Sequence, residues 1–226
     1  MKILKYFTKT EIMLWIFSIS AVIISFLIFG GDYMNLIASA IGITSLIFAA
    51  KGNPFGPFLM IIFSVMYSII SFGMSYYGEM ITYAGMTAPM SLFSLIAWLK
   101  NPYEGKKSEV RINHIKGKEI IFMPFLTAAV TFVFYFILGY FNTANLFFST
   151  LSVTTSFAAV YLTFRRSPYY AAAYALNDIV LIILWGLASL KNISYISVTI
   201  CFAVFLANDI YGFINWKRME KIQNMT

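Results

Sequence analysis

Eight long apolar runs leave this chain few folds to choose from. They lie at about residues 12–29, 34–50, 57–77, 80–99, 120–141, 144–164, 168–190 and 193–216. Each approaches the length a helix needs to cross roughly 30 Å of hydrocarbon. The alternation of a membrane barrel is absent, and helices are the other structure that satisfies its own backbone in lipid. With 60% hydrophobic and 11% charged residues and a mean hydropathy of +0.79, an ordinary soluble domain is excluded. The expected fold class is an all-α membrane protein with eight transmembrane helices.

The basic residues support that count and give an orientation. When alternate loops are assigned to opposite sides, one side collects Lys2, Lys5, Lys9, Lys51, Lys100, Lys106, Lys107, Arg111, Lys116, Lys118, Arg165, Arg166, Lys217, Arg218 and Lys221, and the other only Lys191. Short loops rich in Lys and Arg stay in the cytoplasm, so both termini are expected there, in a cell (inner) membrane. The same rule accounts for the +7 net charge and leaves little reason to invoke nucleic acid. Lys2, Lys5 and Lys9 before the first run resemble the start of a signal peptide. The run is long and lacks a clean cleavage site, so a retained first helix is expected. Cys201, the one cysteine, allows no intrachain disulfide.

The longest polar segment, Lys100 to Glu119, reads as a basic cytoplasmic connector between the fourth and fifth runs. On either side of it the chain repeats a layout. Lys51-Gly52-Asn53-Pro54 and Arg165-Arg166-Ser167-Pro168 each start a middle helix; Gly73 and Gly186 follow; Trp98-Leu99-Lys100 and Trp216-Lys217-Arg218 close a third. An even number of spans separates the halves, so they point the same way. Parallel repeats are one transporter plan, with substrate bound between the halves near the midplane. The expected organisation is an extra helix over 1–33, a three-helix bundle over 34–100, a connector over 101–119, a linking helix over 120–143, a second bundle over 144–218 and a cytoplasmic tail over 219–226.

Asp178 and Asp209 are the acidic residues placed well inside the runs, each after an asparagine, Asn177 and Asn208. A carboxylate at the bilayer centre costs roughly 2.5–3.5 kcal/mol on insertion scales, so such residues read as functional by default. Counted from Pro168 and Trp216, the two pairs differ in depth by roughly 5 Å and can line one site. The alternative is hydrogen-bonded glue between helices. Tyr170, Tyr174, Asn177, Asp178, Leu181 and Trp185 share one helical face, as do Tyr83, Thr87, Ser91, Ser94 and Trp98, and a shorter face carries Asn208, Tyr211 and Asn215. Flat rings and amides suit a planar aromatic substrate, although many rings in so aromatic a chain simply pack. His114, the one histidine, falls in the connector and reads as solvated. No phosphate-binding glycine loop and no Cys/His metal constellation occurs in the sequence, so no cofactor or metal is expected.

Ala207-Asn208-Asp209-Ile210-Tyr211-Gly212-Phe213-Ile214-Asn215-Trp216, Asn177 in the seventh run, and Gly52-Asn53-Pro54-Phe55-Gly56 give the chain a resemblance to the PnuC-type vitamin transporters, over about residues 34–218. That resemblance implies a three-one-three core like that of the sugar-transporting SWEET proteins, plus an extra N-terminal helix. It implies a homo-trimer and facilitated diffusion of a vitamin or nucleoside, trapped afterwards by a cytoplasmic kinase. Members that carry nicotinamide riboside have the pattern W-x-x-W-x-x-x-N; here, before Asn177, its tryptophan positions hold Tyr170 and Ala173, with Tyr174 one position on. The family's glutamine falls near Tyr83 and Ala84, where no Gln occurs. The resulting expectation is a uniporter for nicotinamide riboside, with thiamine, riboflavin and deoxynucleosides as alternatives. Asn177 and Asn208 are expected to bond polar edges, Tyr170, Tyr174 and Tyr83 to surround the ring, and Tyr211 to be a further substrate-binding residue. Asp178 and Asp209 are expected at ribose hydroxyls or behind the asparagines. Two other readings stay open: a membrane-embedded enzyme using both aspartates, and a proton-coupled carrier with Asp178 as the proton site.

Overall fold

A computed structural model describes residues 6–30, 32–74 and 76–225; Lys2 and Lys5 lie outside the described residues. The helices are α1 (Lys9–Phe29), α2 (Tyr33–Ala50), α3 (Phe55–Gly73), α4 (Tyr77–Thr82), α5 (Ala88–Lys100), α6 (Glu119–Tyr140), α7 (Leu146–Phe164), α8 (Tyr170–Ser189) and α9 (Ile196–Gln223). A π-helical segment, Tyr83–Thr87, joins α4 to α5 into one span, so eight spans are long and apolar enough to cross a membrane among the described residues.

Two of the turns are built alike. At the end of α2, Gly52 has φ +66, and Gly52 N–H and Asn53 N–H donate to the carbonyls of Ala49 and Phe48. At the end of α7, Arg166 has φ 57, and Arg166 N–H and Ser167 N–H donate to Thr163 and Leu162. A left-handed residue closing a helix in this way satisfies its last carbonyls, and the proline that follows cannot continue it. Asn53 and Ser167 then accept from Phe55 N–H and Tyr169 N–H at 2.9 and 3.4 Å, opening α3 and α8. The turns before Pro54 and Pro168 thus share one local geometry.

The π segment has a local cause. Pro89 near the start of α5 lacks an N–H and crowds the preceding turn; widening that turn, so that Ala88 N–H reaches Tyr83 O, absorbs the misfit. It also turns Tyr83 and Thr87 inward, where they are 5% and 3% exposed.

The connector departs from a simple solvated loop. Pro102–Tyr103 and Lys106–Val110 form a small antiparallel hairpin, β1 and β2, around Glu104 and Gly105, both at positive φ as a tight two-residue turn requires. From its last residue onward, Val110 N–H donates to Gly52 O at 2.9 Å, Asn113 N–H to Arg166 O at 3.0 Å, and Ile112 N–H to Gln223 Oε1 at 2.8 Å. His114, expected to be solvated, is only partly so: it lies 3.3 Å from Glu220. The expected tail from 219 is helical to Gln223, because α9 runs on beneath the connector.

α1 is bound to the rest by polar contacts inside its span. Glu11 is 1% exposed; it accepts from Lys51 Nζ at 3.1 Å and from Tyr211 Oη at 3.0 Å. Ser18 Oγ accepts from Asn208 Nδ2 at 2.9 Å, and Thr44 Oγ1 from Trp15 Nε1 at 3.1 Å. α6 is the least buried span and packs chiefly on α7.

Candidate functional site

Asp178 and Asp209 lie side by side in the interior. Their carboxyl groups are within hydrogen-bonding reach of one another, and the residues are 2% and 3% exposed. The Oδ2 atom of Asp178 has no hydrogen-bond partner. The two carboxyls form part of the wall of a cavity among α2, α3, the π segment, α7, α8 and α9. Leu46 from α2, Met60 and Phe63 from α3, and Tyr83 and Thr87 from the π segment line one side. Ser156 from α7, Tyr174 and Asn177 from α8, and Phe202 and Phe205 from α9 complete it.

Asn177 is held in a defined orientation. Its Oδ1 accepts from Thr155 Oγ1 at 2.8 Å and Ser156 Oγ at 2.9 Å, both on α7. The amide oxygen is therefore committed to the scaffold, and the NH₂ group is the end left to address the cavity. Thr155 and Ser156 were not among the residues singled out in the sequence. The run Ser149, Ser152, Ser156 along one face of α7 was the available signal.

The cavity volume is about 20 Å³, room for roughly one water molecule. Two ring clusters adjoin its lining, through Tyr174 against Tyr170 at 6.2 Å and Tyr83 against Tyr67 at 4.4 Å. At the basic end Trp98, Tyr170 and Trp216 meet, with centroids 5.3 Å apart for the tryptophan pair and 4.7 Å for Tyr170 and Trp216. At the opposite end Trp185 lies 4.6 Å from Tyr76, 5.8 Å from Tyr195 and 6.3 Å from Tyr67. The cavity is small and most of its lining is buried.

The residues picked from the sequence are divided by the fold. Tyr83, Tyr174, Asn177, Asp178 and Asp209 reach the cavity. Tyr170 sits one layer toward the basic end, in the ring cluster. Asn208 faces the other way, donating to Ser18 Oγ and to Val204 O, and Tyr211 bonds Glu11. Both therefore belong to the α1 contact, since successive residues on a helix point about 100° apart.

Two more carboxyls are buried besides the aspartates, Glu11 and Glu79, each in the first turn of its span. Glu11 holds α1. Glu79, 1% exposed, accepts from Ser152 Oγ at 2.9 Å and leaves its Oε2 without a partner. Both stand at the ends of apolar runs, where a sequence reading places them at the membrane surface. Close packing beside Gly78, where a Cβ would lie 2.7 Å from Thr143 Cγ2, draws Glu79 inside. Among the described residues no group of three or more His, Cys, Asp or Glu is arranged to hold a metal ion.

Known proteins give this arrangement a context. The family described as "Nicotinamide mononucleotide transporter" matches residues 32–218. A relative from Neisseria mucosa, the nicotinamide riboside transporter PnuC, is 24% identical over 196 residues, covering 84% of this chain and 74% of that protein. The crystal structure of the vitamin B3 transporter PnuC shares the fold, with a TM-score of 0.83 at 21% identity over 96% of this chain and 94% of the other. With the family match running from just before α2 to the basic end of α9, this chain belongs to the nicotinamide mononucleotide transporter family.

Proposed function

We propose that the chain carries nicotinamide riboside, or a closely similar ring-bearing vitamin or nucleoside, across the membrane by facilitated diffusion. The observation that carries this reading is the small buried cavity, which lies between the two three-span halves that this reading assumes. It has an oriented amide donor, Asn177, facing rings from the other half. An aromatic substrate stacks on such rings while amides and carboxyls read its polar edges. Pockets for ligands of that size run to roughly 300 Å³ or more, so the halves separate to admit substrate. Rocking of one half against the other, opening first one ring cluster and then the other, delivers it across. Membership in a transporter family sets aside the membrane-enzyme alternative for the two aspartates.

The basic end is proposed to face the cytoplasm, placing both termini there in an inner membrane. A cytoplasmic kinase that modifies arriving substrate would keep uptake running downhill. A homo-trimer fits the broad apolar face of α6, which little else in the chain covers.

The test is uptake into proteoliposomes holding the purified protein, with nicotinamide riboside, thiamine, riboflavin and deoxynucleosides offered separately. Saturable uptake of nicotinamide riboside, lost in Asn177→Ala, supports the reading. Uptake of another member alone reassigns the substrate, and unchanged uptake in Asn177→Ala moves the site elsewhere.

A further inference from the structure

The aspartate pair has more chemistry than a neutral substrate needs. Two carboxyls in contact repel when both are ionised, and a single proton between them turns that repulsion into a hydrogen bond. The groups facing the pair supply no positive charge. Tyr83, Tyr174 and Cys201 face Asp178, and Tyr170 and Tyr174 face Asp209. The helices packed around them add Leu46, Met60, Phe63 and Ser156, all uncharged. Glu79 stands further off, against Tyr67 and Tyr83. No Lys or Arg lines the cavity among the described residues. Asp178 also presents an oxygen that nothing in the protein satisfies.

We infer that Asp178 and Asp209 form a cation-exchange site: a substrate with a permanently positive ring binds against the pair, and the proton the two carboxyls share is released. Charge balance supports the exchange. The empty pair with one proton carries one negative charge. Two carboxylates holding a cationic ring carry the same net charge, so the buried site gains and loses substrate without a change in total charge. A neutral ring gives no such compensation and leaves the proton in place. Nicotinamide riboside, an N-ribosyl pyridinium, and thiamine, with its thiazolium ring, are both such cations. The inference rests on the carrier reading above and adds a proton moving against each substrate. With equal pH on both faces the cycle remains facilitated diffusion; a more acidic interior favours uptake of the cation.

The full-length protein is titrated calorimetrically with nicotinamide riboside and with its uncharged dihydro form, each in phosphate and in Tris buffer. The expected result is a buffer-dependent heat for the cation, corresponding to release of about one proton, and at least tenfold weaker binding of the uncharged form. Affinity for the cation is expected to rise with pH while the pair still holds its proton. Asp209→Asn, which preserves shape, should bind the cation more weakly with no proton release. An infrared difference spectrum should show a protonated carboxyl band lost when the cation binds, and it reads the site even where a variant folds poorly. Equal heats in the two buffers, or equal affinity for both forms, overturn the exchange while leaving the carrier reading intact. Absence of binding by either form overturns both.

Discussion

Trp98 and Trp216 make matching hydrogen bonds to the ends of two other helices. Trp98, near the end of α5, donates its indole N–H to Thr163 O at the end of α7, at 2.9 Å; Trp216, late in α9, donates to Ala49 O at the end of α2, at 2.8 Å. α5 is thus pinned to α7 and α9 to α2, with both indoles fully buried and their rings 5.3 Å apart. This reciprocal latch lies at the basic end, beneath the Gly52 and Arg166 turns that the connector ties together.

Weakening the latch should cost stability and loosen that end of the cavity. Trp98→Phe and Trp216→Phe each remove one buried hydrogen bond and are expected to cost about 0.5–1.5 kcal/mol, since each carbonyl keeps its backbone partner in the turn. Because the rings touch, the double variant should deviate from the sum of the singles by at least about 0.5 kcal/mol. Thermal unfolding in detergent measures the cycle, and faster cysteine labelling from the basic side would show the opening.

The two asparagines singled out in the sequence should separate in experiment. Asn177→Ala removes a donor aimed at the cavity and takes the acceptor from Ser156 Oγ, while Thr155 Oγ1 keeps the carbonyls of Leu151 and Ser152, so substrate affinity should fall at least tenfold. Asn208→Ala breaks the bond to Ser18, with an expected loss of about 1 kcal/mol, typical of hydrogen bonds between membrane helices, and substrate affinity should stay near wild type. Binding and melting curves on both variants decide the assignment.

That separation shows where the sequence stops being informative. The eight spans, their turns at Pro54 and Pro168 and the faces of α5 and α8 follow from periodicity and turn chemistry, which are local. Which neighbour a face meets is not local. Asn208 and Asp209 are adjacent in sequence, yet one meets α1 and the other the cavity, because α1 packs along α9 and α2. Glu11 and Glu79 escaped notice because hydropathy places run ends at the membrane surface, whereas ion pairing and close packing draw these two inside. The π segment was hidden as well, since Pro89 can be absorbed by a kink or by a widened turn.

The α1 contact should behave as a buried ion pair. Lys51→Met leaves the Glu11 carboxylate buried with only Tyr211 and its own N-terminal turn to bond, and is expected to cost about 3–5 kcal/mol. Replacing Glu11 with Gln in the same chain should restore most of that loss, because no unpaired charge then remains. If the double variant melts no higher than Lys51→Met alone, the pair is not what holds α1.

Two glycines at helix contacts should fail in different ways. At Gly56 an added Cβ would lie 2.6 Å from Ala49 N and 2.8 Å from Ala49 Cα, which are backbone atoms, and Gly56 O also accepts from Ser45 Oγ at 2.8 Å. Gly56→Ala must push α2 and α3 apart, and overpacking of this kind costs about 1–3 kcal/mol. At Gly42 the obstructing atoms are the ring tip of Phe205 and the ring of Phe63, and both rings line the cavity. Those rings have one soft direction, toward the small space beside Asp178 and Asp209. Gly42→Ala should therefore melt closer to wild type than Gly56→Ala and yet bind substrate several-fold more weakly, because the displaced rings occupy the volume substrate must enter. Measuring melting temperature and affinity on both variants tests this, and a Gly42→Ala protein with unchanged affinity would show that Phe205 yields away from the cavity.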